Sequence, residues 1–262
     1  MKIDFHSHIL PGIDDGATDI NNAVELVCAM KSWGFEKITC TPHINAAYRN
    51  TPDEIERTFE DLQMALEDNA IDIGLAMSAE YRLVPETWPE VLEKNWIMPI
   101  EDRFILTELP ISNPLEMQYI KPLEEFRKLI AMGLTPILPH PERYFYLSHK
   151  ELMEFIEEGV IIQCNYGSLA GLYGMAARDR ARSLVDEGLV TLYGTDMHNL
   201  KYVDIIGKWF KERKIPDFMM NKHSDFLCKI GSNTLAIYIV HQPIIYALLT
   251  AFFWVMEKGT AV

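Results

Sequence analysis

Polar and apolar positions alternate in short runs along the chain, and each run is followed by a longer stretch with a helical repeat. Residues 2–8 alternate with a period of two, which predicts a strand. Apolar residues then recur every three or four positions from Val24 to Trp33, which predicts a helix that Asp19 caps and Gly34 ends. The same pairing predicts further strands at 37–41, 73–80, 104–108, 135–138, 160–165 and 190–194, and further helices at about 51–68, 85–94, 115–132, 150–158 and 175–186.

This strict alternation of strands and helices is typical of a parallel α/β sheet, because parallel strands need a crossover connection that a helix usually supplies. Seven predicted strands in a chain of this length favour a closed β/α barrel. A doubly wound open sheet is the alternative.

Side chains that bind metals follow these predicted strands. His6 and His8 lie two residues apart in the first strand and therefore point to the same side, and Asp15 lies in the turn beyond it. The remaining candidates come at the ends of other strands: His43, Glu80, Glu108, His140, Asp196 and His198. Taken singly, each of these residue types commonly has a structural role as a capping or core group. Their joint position favours a metal site, because in a barrel all of these strand ends meet on one face.

Composition restricts the class of protein further. The 262 residues carry a formal net charge of −14, which argues against nucleic-acid binding because phosphate backbones are bound by basic surfaces. The four cysteines occur without C-x-x-C spacing, so we expect neither a zinc ribbon nor a disulfide framework. No apolar run opens the chain, so we expect no signal peptide and a cytoplasmic protein.

Several short motifs together resemble the polymerase and histidinol phosphatase (PHP) superfamily. They are H-S-H-I-L-P-G-I-D-D-G at 6–16, T-P-H at 41–43, A-E-Y at 79–81, H-P-E-R-Y at 140–144 and T-D-M-H-N at 195–199, together with Glu108. Within that superfamily the chain is similar to the bacterial manganese-dependent protein-tyrosine phosphatases of capsule and exopolysaccharide gene clusters. The resemblance extends over residues 1–199.

The resemblance implies a distorted seven-stranded, TIM-like β/α barrel of the PHP type over residues 1–222, with three metal ions bound at its face. The ligands of the first ion would be His6, His8, Glu80 and Asp196. The second ion would share Glu80 as a bridge and add Glu108 and His140. The third ion would be held by Asp15, His43 and His198.

The same resemblance implies a catalytic set, which is Arg143, Asp15, Glu80 and His198. Arg143 matches the family arginine that contacts the substrate phosphate. Tyr144, Tyr146 and Trp88 are candidates for the rim of a pocket for an aromatic substrate, although packing is the commoner role of such residues.

The implied activity is hydrolysis of phosphotyrosine in proteins by a hydroxide that bridges two of the ions. The resemblance implies Mn²⁺, and the mixed imidazole and carboxylate ligands also suit Fe²⁺ or Zn²⁺. The expected partner is a bacterial tyrosine kinase, through which the phosphatase would regulate capsular or exopolysaccharide synthesis. Two alternatives stay open: a small-molecule phosphatase of the histidinol-phosphate kind, and a membrane-attached binding module with weak turnover.

The rival chemistry of tyrosine phosphatases uses a cysteine of low pKa with an arginine six residues later. None of the four cysteines, Cys28, Cys40, Cys164 and Cys228, is followed by arginine at that spacing. Among the two mechanisms of phosphotyrosine hydrolysis, the sequence therefore favours the metal-dependent one.

Residues 223–262 depart from the resemblance. Within them, residues 235–256 contain no Asp, Glu, Lys or Arg and are long enough to cross a hydrocarbon core of about 30 Å as a helix. The sequence G-S-N-T-L-A-I-Y-I-V-H-Q-P at 231–243 resembles a terminal membrane helix of integral-membrane acyltransferases. Three interpretations stay open: an anchor that attaches the protein to a membrane, a helix packed on the barrel, and a fusion that replaces the native ending.

Overall fold

The computed structural model describes residues 2–111, 116 and 119–212, in which strands and helices alternate along the chain. The strands are β1 (Ile3–Ser7), β2 (Lys37–Cys40), β3 (His43–Ile44), β4 (Gly74–Met77), β5 (Glu80–Arg82), β6 (Phe104–Glu108), β7 (Thr135–Pro139), β8 (Ile161–Asn165) and β9 (Leu192–Gly194). The helices are α1 (Ile20–Ser32), α2 (Pro52–Asp68), α3 (Trp88–Glu93), α4 (Pro122–Ala131), α5 (His149–Glu157), α6 (Tyr166–Ala170), α7 (Met175–Asp186) and α8 (Leu200–Glu212).

The predicted elements are largely confirmed, with small differences at their ends. β6 and α7 have the predicted bounds. The expected strand at 73–80 is interrupted before Glu80 and forms the two short strands β4 and β5. The expected helix at 115–132 begins only at Pro122, and part of its expected first half lies outside the described residues. The structure adds α6 and α8, which the hydrophobic pattern did not indicate.

All of the pairings between these strands are parallel, and they form two sheets with the orders β1-β2-β4 and β3-β5-β6-β7-β8-β9. β2 leads into β3 and β4 into β5, so the chain passes from the first sheet to the second at both places. Backbone hydrogen bonds also join the other edges of the sheets, since Asp196 N donates to His6 O (2.8 Å) and His8 N donates to Met197 O (2.9 Å). The protein therefore has an α/β fold with two parallel sheets. The carboxyl ends of their strands lie on one side of the fold.

Local side-chain signals define the helices that connect these strands. Asp19 accepts hydrogen bonds from two backbone N–H groups in the first turn of α1, and Thr51 and Ser148 start α2 and α5 with capping boxes. Each of these helices buries an apolar face, and every residue of β1 and β6 is buried. A packed core therefore holds the strand ends in place.

None of the helices in the described part of the chain combines the length and apolar character that crossing a bilayer requires. The predicted boundary at residue 222, the C-terminal segment 223–262 and the candidate membrane segment 235–256 all lie outside the described residues. They stay predictions.

Candidate metal centre

The residues that the sequence identifies as candidate metal ligands come together, some within strands and others in the turns that follow them. Most of them line a cavity of about 260 Å³, which also reaches Arg143. The other two, His6 and His8, are fully buried beneath the cavity. His6 lies in β1, and His8 directly follows that strand. Ligand atoms of all nine residues fall into four overlapping groups in which the atoms lie within 4.8 Å of one another: His6, His8, Asp15, His43, Glu80, Glu108, His140, Asp196 and His198.

The deepest group consists of two imidazoles and two carboxylates. His6 Nε2 lies 3.1 Å from His8 Nε2 and 3.3 Å from both Glu80 Oε2 and Asp196 Oδ1. His8 Nε2 lies 3.2 Å from the same Glu80 oxygen. Two atoms that each lie about 2.1 Å from one ion at right angles are roughly 3 Å apart, so these spacings suit a shared ion. All four side chains are buried, so bulk water is largely excluded from this group.

Glu80 connects this group to a second one. Its Oε2 faces His6 and His8, whereas its Oε1 lies 3.2 Å from His140 Nε2. His140 Nε2 lies 4.0 Å from Glu108 Oε1. The two oxygens of one carboxylate therefore serve two neighbouring groups, which is the geometry that a bridging ligand needs.

The outermost group is partly exposed. Asp15 Oδ1 lies 3.5 Å from His43 Nε2 and 3.6 Å from His198 Nε2, and 51% of the Asp15 side chain is accessible to solvent. His8, which the sequence places only in the deepest group, belongs to this one as well. Water or a substrate oxygen could therefore reach this side of the centre most readily.

The pKa values of the groups in the centre shift in both directions. Burial lowers the pKa of His6 and His8, but neighbouring carboxylates outweigh burial and raise both. Burial lowers the pKa of His140 to about 4, and burial together with the charge of His8 lowers the pKa of His43 to about 4, so both imidazoles are neutral near pH 7. Burial, reinforced by the carboxylate of Glu80, raises the pKa of Glu108 to about 8. A neutral imidazole is the form of histidine that binds metals.

The chemistry of the donors fits a bound divalent ion. Burying several carboxylates is costly unless positive charge lies among them. In the described residues, Glu108 Oε2 and His43 Nδ1 are buried and make no hydrogen bond, although His43 Nδ1 lies 3.1 Å from Glu80 Oε2. Ligands of this kind, with no thiolate among them, suit Mn²⁺, Fe²⁺ or Zn²⁺.

A surrounding set of polar residues, none of which the sequence assigned as a ligand, orients these side chains. His8 Nδ1 lies 2.7 Å from Asp14 Oδ2, and His6 Nδ1 lies 2.8 Å from Gln163 Oε1. Asn165 Nδ2 donates to Asp196 Oδ2 at 2.7 Å. Such contacts fix the ring orientation of histidine ligands. The sequence did contain a signal for two of these residues. Gln163 and Asn165 are amides two residues apart in β8, so their side chains point to the same side of the strand.

Two of the predicted ligands have unusual backbone conformations. His140 has φ +40° and Asp196 has φ +51°, the left-handed region that non-glycine residues rarely adopt. Their backbone N–H groups are held by hydrogen bonds to Gln163 O (2.7 Å) and His6 O (2.8 Å). Strain of this kind persists where the surrounding structure imposes it, and it is frequent at functional sites.

Arg143, for which the resemblance implies a phosphate contact, lines the cavity. Its Nη1 is 3.1 Å from Asp196 Oδ2, and its guanidinium lies 4.2 Å from the centre of the Tyr173 ring. Tyr173 also donates a hydrogen bond from its hydroxyl to Asp196 Oδ2 at 2.9 Å. A second arginine, Arg82, lines the same cavity and was not identified from the sequence.

The aromatic residues around the cavity are not the ones that the sequence suggests. Tyr144 is buried and its hydroxyl accepts from Leu109 N, and Trp88 donates to Glu125. Neither these two residues nor Tyr146 line the cavity, whereas Tyr48 and Tyr202 do. Tyr48 is stacked on His43 with an interplanar angle of 9°.

Comparison with known proteins identifies a family. The family model described as "Capsular polysaccharide synthesis, CpsB/CapC" matches residues 2–203. The tyrosine-protein phosphatase YwqE of Bacillus subtilis (strain 168) is 30% identical over 202 residues, which cover 76% of this chain and 78% of that protein.

Solved structures are similar over most of the chain. A structure from work on YwqE of Bacillus subtilis and CpsB of Streptococcus pneumoniae, described there as metal-dependent tyrosine phosphatases, matches with a TM-score of 0.71 at 27% identity, covering 82% of this chain and 89% of that one. A histidinol phosphate phosphatase of Lactococcus lactis matches with a TM-score of 0.50 at 13% identity, covering 80% of this chain and 93% of that one. The second likeness concerns the fold alone.

Proposed function

The chain belongs to the CpsB/CapC family of capsular polysaccharide synthesis, and on that basis we propose that it is a metal-dependent protein-tyrosine phosphatase. The observation that carries the proposal is the convergence of five histidines and four carboxylates on one cavity that an arginine also reaches. This arrangement suits hydrolysis of a phosphate monoester, because imidazole and carboxylate ligands hold divalent ions and the arginine binds phosphoryl oxygens.

We assign the ligands as the resemblance implies. One position takes His6, His8, Glu80 and Asp196; a second takes Glu80, Glu108 and His140; a third takes Asp15, His43 and His198. The spacings described above support three positions. The donors suit Mn²⁺, Fe²⁺ or Zn²⁺ alike, and Mn²⁺ is the ion that the resemblance implies. When bound, the ions supply activation of water for attack and stabilisation of negative charge on the phosphoryl group.

The side chains around the ions bind and orient the substrate. Arg143 presents a guanidinium whose geometry permits two hydrogen bonds to phosphoryl oxygens, and its stacking on Tyr173 holds it in place. Asp15 and His198, at the exposed side of the centre, lie where the phosphoryl group would enter. Tyr48 and Tyr202 provide aromatic surface for the ring of a phosphotyrosine.

Phosphotyrosine also suits the chemistry of the leaving group. Phenol has a pKa of about 10, so a tyrosinate leaves with less help from a proton donor than an alkyl alcohol does. A thiolate mechanism is disfavoured, because burial raises the pKa of the Cys40 and Cys164 thiols and neither lines the cavity. Cys28 is exposed on α1, away from the strand ends.

Separate observations bear on the substrate, on the closure of the barrel and on the location of the protein. The names of the relatives support a phosphotyrosine protein as substrate, and the family description supports a role in capsule synthesis. The partner we propose is a bacterial tyrosine kinase of the capsule pathway, as the resemblance of the sequence implies. The hydrogen bonds between Asp196, Met197 and the end of β1 support closure of the two sheets into a distorted seven-stranded barrel. A cytoplasmic location is consistent with such a substrate, and membrane attachment would depend on residues 235–256.

Hydrolysis assays with three substrates test the proposal. The full-length protein is loaded with Mn²⁺, its metal content is measured, and it is then given a phosphotyrosine peptide, the matching phosphoserine peptide and histidinol phosphate. We expect turnover of the phosphotyrosine peptide well above that of the other two. Preference for histidinol phosphate would favour the small-molecule alternative, and metal binding without turnover would favour a binding module.

A further inference from the structure

Arg82 occupies a position in the centre that has no assigned role. It ends β5, two residues after Glu80, so the two side chains share one side of the strand. In the sheet register Arg82 is paired with Glu108 at the end of β6. Its side chain lines the cavity together with Arg143, one step nearer to the rim than Glu80.

The guanidinium of Arg82 is incompletely satisfied. Its Nε is buried without a hydrogen bond, and the nearest carboxylate oxygen, Glu108 Oε2, lies 3.6 Å away and is also buried without one. Glu108 is the only ion-pair partner of Arg82 found in the described residues. Leaving a buried charged donor unpaired costs free energy, so a cavity that retains such a donor favours a ligand that pairs with it. The side chain is 27% exposed, which leaves it accessible from the cavity.

The two arginines flank the same carboxylate. β5, β6 and β7 are neighbours in the sheet, so Arg82 comes from one side of Glu108 and Arg143, in the turn after β7, comes from the other. Both guanidiniums lie close enough to Glu108 to act on its charge. An anion placed over the centre would therefore meet positive charge from two directions.

We propose that Arg82 is a second substrate-binding arginine, which contacts the phosphoryl oxygens across Glu108 from Arg143. This inference rests on the proposed phosphatase function. Lys201 is exposed at the start of α8 and does not line the cavity, so it is not placed for a second phosphate contact. A purely supporting role for Arg82, in which it orients Glu108, would call for a hydrogen bond between them, and the 3.6 Å separation provides none.

Phosphate binding distinguishes these roles without relying on catalysis. Arg82→Gln and Arg82→Lys are loaded with Mn²⁺, and the binding of inorganic phosphate is measured by calorimetry beside the metal content. Arg57→Gln is the matched control, because it removes the same charge from an exposed position on α2. We expect Arg82→Gln to weaken phosphate binding at least about tenfold, with metal content unchanged, and Arg82→Lys to recover part of the loss.

Three outcomes would overturn the inference. Unchanged phosphate affinity in Arg82→Gln would exclude the contact, and a parallel fall in metal content would show that Arg82 supports Glu108 instead. An equal loss in Arg57→Gln would indicate a general effect of charge. If the wild type binds phosphate but fails to hydrolyse the phosphotyrosine peptide, the proposed function is wrong, while the comparison of phosphate affinities still decides the role of Arg82.

Discussion

At the scale of single residues, Glu80 is the side chain that lies between two groups of candidate ligands. Its two oxygens face different groups of ligands, one on the side of His6 and His8 and the other on the side of His140. Removing it should therefore affect two ion positions together, whereas removing a ligand of one position should affect that position alone.

The first prediction follows for Glu80→Gln. We expect bound metal to fall by more than one equivalent and phosphatase activity to be lost, because the amide carries no charge to share between two ions. Elemental analysis and peptide hydrolysis measure the two effects, with Glu56→Gln on the exposed face of α2 as the control. Full metal content in Glu80→Gln would contradict the bridging role.

Arg143 should behave differently, because it contacts ligands without being one. Arg143→Ala removes a phosphate contact, so we expect kcat/KM to fall by about 10²-fold or more while metal content stays normal. Steady-state kinetics on metal-loaded protein test this. A loss of metal that accounts for the loss of activity would instead assign Arg143 to supporting Asp196, whose Oδ2 lies 3.1 Å from it.

At the scale of elements, the loop after β1 determines where Asp14 and Asp15 lie. Gly16 ends this loop against the backbone of His8, and a Cβ at that position would lie 1.9 Å from His8 O. Asp14 Oδ1 accepts from Gly16 N at 2.9 Å, so the loop is held by its own hydrogen bonds as well. The close approach explains why glycine follows the acidic pair.

A substitution in this loop should therefore disturb the outer ion position. We expect Gly16→Ala to lower the Tm and to lose the ion at the outer position, because the loop must move away from His8 and carry Asp15 with it. Gly133→Ala is the control: no atom lies within 4 Å of the position that an added Cβ would take, and the positive φ of 84° should cost only about 1–2 kcal/mol without loss of metal. Equal metal contents in the two variants would count against this account of the loop.

At the scale of the whole molecule, the centre unites strands that are distant in sequence. Its residues come from β1 and the loop after it, from the first positions of β3 and β5, from the end of β6, and from the turns after β7 and β9. The carboxylates Glu80, Glu108 and Asp196 are almost completely buried at that junction. Bound ions should therefore stabilise the packing of the strand ends as well as support catalysis.

Chelation tests this coupling between metal and fold. We expect removal of the ions to abolish activity and to lower the Tm, because ligands that bind only the folded state stabilise it and the buried carboxylates lose their counter-charges. Restoring Mn²⁺ should recover both, as measured by thermal unfolding and peptide hydrolysis. Activity that persists in the chelated protein, with its metal content shown to be negligible, would rule out a metal mechanism.

The sequence alone determined the alternation of strands and helices, the parallel sheet, and the ligand-type residues at the strand ends. These features are local: period-two and helical repeats, caps such as Asp19, and residues at strand ends are all written in short stretches of chain. The resemblance carried by the motifs from His6 to Asn199 then pointed to the family that the comparisons identify.

Only the tertiary structure decided which residues meet across the sheet. The two sheets with their broken strands, the pairing of Arg82 with Glu108, and the contacts of Gln163 and Asn165 with His6 and Asp196 depend on the register between strands. Likewise, Tyr48 and Tyr202 line the cavity while Tyr144 and Trp88 are packed elsewhere. The physical reason is that strand periodicity fixes the side to which a side chain points, whereas its partner is fixed by packing between segments far apart in the chain.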